Sequence, residues 1–175
     1  MAAPSAHRLS VPQTLRQGRS APVATDSPNV VASPPLLYGV TFLAGVLLHG
    51  VFPKPITAPN VAIGSGLALL FVGTVAATWS RRAMEAAGTN ANPALPATTL
   101  IVSGPFGFSR NPMYVARTIL YLGLGLLMNA LCVLAVLVPL LFVMQYGVIR
   151  REERYLEGKF GDAYRQYQAA VRRWL

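Results

Sequence analysis

The chain has 175 residues, 53% of them hydrophobic and only 12% charged, with a formal net charge of +9. Soluble domains run at about 25% charged, so this is not an ordinary water-soluble globule. The apolar residues are gathered in long blocks, which excludes disorder throughout. Cys132 as the sole cysteine excludes a disulfide scaffold.

In chain order, residues 1–34 are rich in Ser, Thr and Pro, with Asp26 as the only acid. Such a stretch buries too little apolar area to offset its ordering entropy and is expected to be a disordered tail. Two apolar blocks follow, Leu36–Phe52 and Val61–Trp79. Both fall in the range of about 17–25 residues that crosses a bilayer as a helix. Trp79, beside Arg81 and Arg82, fits an interface anchor. Gly64, Gly66 and Gly73 would allow close helix contact, within the chain or between copies. The third block, Thr118–Ile149, is much longer than either. As one helix it would extend about 48 Å, beyond a hydrocarbon core of about 30 Å. A helical hairpin bent at Met128-Asn129 explains it better, with Pro139 kinking the second arm. The fold expected is all-α and polytopic. It has four transmembrane helices at 36–52, 61–80, 112–128 and 131–149, and a C-terminal amphipathic segment over 150–173.

The basic residues are 13 arginines and two lysines. With four spans, every arginine-bearing segment falls on one face, which the positive-inside rule makes cytoplasmic along with both termini. Topology thus accounts for the arginines, and no nucleic-acid partner is expected. No metal site is expected either, since His7 and His49 lie far apart and a structural zinc needs about four ligands.

Two motifs carry chemistry. The first runs Gly104-Pro105-Phe106-Gly107-Phe108-Ser109-Arg110-Asn111-Pro112-Met113-Tyr114, with Asn111 as N-cap and Pro112 at the first helical position. A helix N-terminus with Arg110 beside it suits an anion such as a ligand carboxylate. The second, Arg150-Arg151-Glu152-Glu153-Arg154-Tyr155-Leu156, stands where the last span leaves the membrane. Leu156, Phe160, Tyr164, Tyr167, Val171 and Trp174 then form one apolar stripe of an interfacial helix. Gly158 and Gly161 are expected to break that helix, and Asp162 to cap its second piece. The hairpin sets Arg110–Tyr114 beside Arg150–Glu153 at the boundary of water and lipid. Arg117 lies just inside the membrane, where a charge is a functional candidate by default.

The segment from about Gly88 to Leu175 resembles the integral-membrane methyltransferases that act on isoprenylcysteine carboxylates and on phospholipid amines, especially their small bacterial branch. The matching pieces are Gly-Pro-Phe at 104–106, Arg-Asn-Pro-x-Tyr at 110–114, Glu-Glu-x-x-Leu at 152–156 and Phe-Gly at 160–161, followed by Tyr164, Tyr167 and Val171. Many members have His where this chain has Asn111, which weakens any role for a titrating imidazole there. The resemblance implies a methyltransferase-like domain over 35–175 in a bacterial inner membrane, with S-adenosylmethionine as methyl donor and a lipophilic acceptor. Gly104, Arg110, Asn111, Pro112, Tyr114 and Glu153 are then expected to hold the cofactor. Glu152, Glu153 and Arg110 are expected at the reaction centre, with Arg117 and Tyr121 toward the acceptor. One glutamate would hold the cofactor's amino group and the other would orient Arg110 or the acceptor, the assignment staying open. A carboxylate acceptor needs no general base, whereas an amine or thiol does. The rival readings are an NADPH-dependent membrane reductase of the sterol-reductase type and a non-catalytic membrane scaffold.

Overall fold

Runs of leucine, valine and alanine without charge give helices in the structure, a computed structural model that describes residues 30–89 and 97–175. Among these residues six α-helices follow in order: α1 Pro34–Val51, α2 Pro59–Ala86, α3 Pro112–Leu127, α4 Leu131–Val143, α5 Arg150–Phe160 and α6 Asp162–Ala170. A short 3-10 turn, Gly104–Gly107, precedes α3, and a π-helical segment, Met144–Ile149, joins α4 to α5 without a break. No strand occurs among the described residues. Most of the segment expected to be a disordered tail lies outside them. Val30 packs on the core, and the Val31 amide donates to the Gly147 carbonyl.

Among the described residues, three stretches are long and apolar enough to cross a membrane: Pro34–Val51, Pro59–Ala86 and Leu131–Phe160. The fourth expected span is a shorter apolar helix. At 16 residues α3 extends about 24 Å, and it lies along the longer α2. Their contact depends on missing side chains. A Cβ on Gly66 would stand 2.7 Å from the Leu127 amide nitrogen and one on Gly73 2.8 Å from the Leu120 side chain, whereas Gly64 faces open space. Gly66 and Gly73 therefore serve packing within the chain. On the other side α1 packs against α4, where a Cβ on Gly45 would stand 2.8 Å from the Cα of Val133.

The hairpin is present. Asn129 turns it with a positive φ of 50°, which Asn tolerates better than most side chains. Its side chain does more than favour a turn. Oδ1 accepts from the Ile56 and Thr57 amides at 2.8 and 3.1 Å, and Nδ2 donates to the Thr57 carbonyl at 2.8 Å. The Leu131 amide also donates to the Lys54 carbonyl. The α1–α2 loop and the hairpin turn are thus tied together at the end of the bundle away from both motifs.

The C-terminal segment follows the last span without a break, the π segment leading directly into α5 at Arg150. Three of its details differ from expectation. Only Gly161 breaks it, with φ +56°, while Gly158 stays inside α5. Asp162 is the first residue of α6 rather than its cap, and pairs with Arg165. The apolar stripe also turns inward. Tyr164 and Tyr167 are buried, 2% and 7% exposed, and Trp174 packs on the core.

Candidate functional site

The fold-back brings the two motifs together around a cavity of about 150 Å³. Arg110, Asn111, Pro112, Met113, Tyr114 and Arg117 line it from the start of α3. Glu152, Glu153 and Leu156 face them from α5, and Tyr164 and Tyr167 close it from α6. Two expected site residues lie elsewhere. Gly104 opens the 3-10 turn with φ +61° and stands beside Trp79. Tyr121 packs edge-to-face against Tyr38 and Phe42, two turns deeper along α3. Trp79, expected as a lipid anchor, lies beside Phe108, their ring centroids 6.0 Å apart.

Glu153 is the electrostatic centre of the site. Its buried carboxylate receives a forked pair of bonds from Arg173, Nε to Oε1 at 2.9 Å and Nη2 to Oε2 at 2.7 Å. Nη2 of Arg110 reaches Oε1 at 3.3 Å. One carboxylate between two guanidiniums leaves the group with a net single positive charge. The Glu153 carboxylate holds the Arg173 guanidinium above its ordinary pKa. Nε of Arg110 is buried, its side chain 10% exposed, and it has no hydrogen-bond partner among the described residues. A buried donor left unmade costs about 1–3 kcal/mol.

The chain segment 171–174 straps this centre. The Arg110 amide donates to the Arg172 carbonyl at 2.9 Å, and the Arg173 carbonyl accepts from the Ser109 hydroxyl and from Nδ2 of Asn111. Trp174 Nε1 donates to Gln145 in the π segment at 3.0 Å. Asn111 therefore occupies the N-cap position without its side chain capping the helix. Its backbone carbonyl instead accepts from the Tyr114 and Val115 amides, and its own amide donates to the Ser109 hydroxyl. With Pro112 lacking an N–H, the first turn offers an incoming anion chiefly the Met113 amide.

Glu152 has different surroundings. Tyr114 donates its hydroxyl to Oε1 at 2.6 Å, a neutral partner where Glu153 has two cationic ones. Arg117 lies over the Tyr114 ring, 5.6 Å from its centroid, on the same wall of the cavity. Across the cavity, the Tyr167 hydroxyl donates to the Phe106 carbonyl at 2.7 Å and ties α6 to the 3-10 turn. Burial, reinforced by Glu153, pushes the Tyr164 hydroxyl above the usual phenol range, and burial does the same to Tyr167. Both stay neutral as walls.

The sequence reading missed Ser109, Gln145 and Arg173. Arg173 is distant from Glu153 along the chain, and only its place beside Trp174 at the end of the apolar stripe hints that the segment folds back. The two glutamates, alike in the sequence, are distinct in the structure. Two arginines engage Glu153, and a tyrosine hydroxyl engages Glu152.

Long apolar helices, with a cavity lined in part by charged side chains at their ends, define an integral-membrane protein. The family model for phospholipid methyltransferases matches residues 61–163, and the chain belongs to that family. It is 47% identical over 64 residues to an uncharacterised protein of Haemophilus influenzae, covering 36% of this chain and all of that protein. It is also 33% identical over 129 residues to the cobalt-zinc-cadmium resistance protein CzcN of Cupriavidus metallidurans, covering 70% of this chain. The aligned region spans 54% of the length of CzcN. No solved structure matches the chain.

Proposed function

We propose that the cavity binds S-adenosylmethionine and that the protein methylates a lipophilic acceptor drawn from the bilayer: a lipid amine, a hydrophobic thiol or an isoprenylcysteine-like carboxylate. The observation that carries this reading is the unpartnered Nε of Arg110, buried in a net-positive centre beside a carboxylate that a tyrosine hydroxyl holds. The cofactor's methionine part bears a carboxylate, an amino group and a sulfonium, and the cavity supplies both signs of charge. Residues and group therefore fit.

When bound, the cofactor supplies an electrophilic methyl group. Arg110, with the Met113 amide, receives the carboxylate. Asn111 and Pro112 shape the backbone that presents them. Glu153 holds Arg110 and Arg173 in place and is a positioning residue. Glu152, held by Tyr114, faces the cationic part of the ligand or takes a proton from an amine or thiol acceptor. The tyrosine and phenylalanine walls exclude water, which favours displacement by holding the reactants close and unsolvated. Placed with its basic end at the cytoplasm by the positive-inside rule, in a bacterial inner membrane, the site meets a soluble donor on one side and lipid on the other.

The test uses the full chain in lipid nanodiscs with methyl-labelled S-adenosylmethionine. Wild type is expected to bind the donor and label a lipid-phase product, with no oxidation of NADPH. Arg110→Ala is expected to lose donor binding, and Glu152→Gln to bind the donor but transfer at least about 100-fold more slowly to an amine or thiol. Absence of donor binding by folded wild type at millimolar concentration overturns the reading.

A further inference from the structure

The outer side of the last span carries a row of side chains that the cavity does not use. Val138, Phe142, Tyr146, Arg150 and Arg154 stand four residues apart and all are exposed, the first three by more than half. In an α-helix such a row creeps about 40° around the axis at each step. The wider turn of the π segment Met144–Ile149 offsets that creep and keeps the row together. The Arg150 guanidinium accordingly lies over the Tyr146 ring, 4.5 Å from its centroid. Arg154 leans back along the helix, as helical side chains do, and its Nε donates to the Arg150 carbonyl at 3.3 Å. Both arginines thus point back toward the span. Among the described residues neither is paired with a carboxylate, and the contact with Tyr146 leaves the guanidinium donors of Arg150 without an acceptor.

We propose that this row binds one anionic phospholipid, its phosphodiester between Arg150 and Arg154, its ester region at Tyr146 and an acyl chain along Phe142 and Val138. Charge complementarity commits the site to that occupant, since a guanidinium fork matches phosphate oxygens in pairs. The order of polarity does so independently. Apolar, aromatic and cationic groups succeed one another along the row as acyl chain, ester and phosphate do along a lipid. The lengths agree as well. Val138 to Tyr146 is about 12 Å, within the roughly 15 Å of one leaflet's hydrocarbon, and Arg150 lies about 6 Å further, at headgroup depth. A zwitterionic lipid presents the same phosphate, but two neighbouring cations repel its ammonium, so the site prefers net negative charge. This inference goes beyond the methyltransferase reading and does not depend on it.

The test is native mass spectrometry of the full chain released from nanodiscs of equal phosphatidylglycerol and phosphatidylcholine. Wild type is expected to retain one phosphatidylglycerol, preferred over phosphatidylcholine by about 30-fold, each arginine supplying about 5-fold. Arg150→Gln or Arg154→Gln lowers the preference to about 5-fold, and the double variant removes it. Arg81→Gln, which changes an exposed arginine on α2 that is paired with Glu85, keeps the wild-type preference. Raising the salt to about 1 M before release weakens the preference, because both arginines are exposed to screening. Equal retention of the two lipids by wild type overturns the site, as does a preference that survives the double variant. Retention of a second copy of the chain in place of lipid also overturns it. An equal loss in Arg81→Gln would show general surface charge and no site at all.

Discussion

Replacing Arg173 with alanine removes three charge-assisted hydrogen bonds from a carboxylate that is only 8% exposed, leaving Glu153 with Arg110 at 3.3 Å. Breaking a fully buried ion pair costs about 3–5 kcal/mol. Arg173 is itself about a third exposed, so its charge is partly screened and water re-enters when it is lost. The expected cost is therefore lower, about 2–3 kcal/mol. For a chain of this size, that lowers the unfolding midpoint by roughly 4–12 °C. Trp174, the neighbour of Arg173, donates to Gln145 and reports locally, so the assay is thermal unfolding followed by its fluorescence in a Trp79→Phe background. Arg173→Lys keeps the charge but loses the planar fork and is expected to fall between the two. A midpoint and Trp174 emission unchanged in Arg173→Ala would refute the claim that segment 171–174 clamps the site through Glu153.

Two further expectations address the fold. Asn129→Gly removes three side-chain hydrogen bonds but suits the positive φ, whereas Asn129→Ala removes the same bonds and adds the left-handed penalty. Alanine should therefore destabilise by about 1–2 kcal/mol more than glycine in thermal unfolding. Gly66→Ala forces a methyl group to within 2.7 Å of the α3 backbone and is expected to cost about 1–3 kcal/mol, while Gly64→Ala leaves the midpoint unchanged or slightly higher, by the same measurement.

Much of this architecture is legible in the sequence because the bilayer imposes simple constraints. The apolar block Thr118–Ile149 is too long for one crossing, and that excess, with the turn preference of Asn, places the bend at Met128-Asn129 and brings residues 110 and 153 together. The role of Asn129 as a clip to the α1–α2 loop is not legible. It depends on which carbonyls and amides the opposite loop presents, and that is settled only by assembly. The C-terminal stripe reads correctly as helical, yet an apolar face has the same period whether it meets lipid or folds back over a cavity. Burial of Tyr164 and Tyr167 decides between the two. Neither can sequence spacing separate Glu152 from Glu153. Adjacent residues on one helix differ here because two arginines converge on one carboxylate and a tyrosine on the other.

The Asn129 clip has a mechanical consequence. Hydrogen bonds fasten the far ends of all the spans to one another, including one from the Cys132 thiol to the Phe52 carbonyl, while the near ends are joined by the Glu153 ion pairs together with the Arg110–Arg172 and Val31–Gly147 main-chain bonds. Both ends of the bundle are thus stapled by bonds that cross between distant stretches of chain, and Glu153 between its two arginines adds a clamp of charge at the end that carries the cavity.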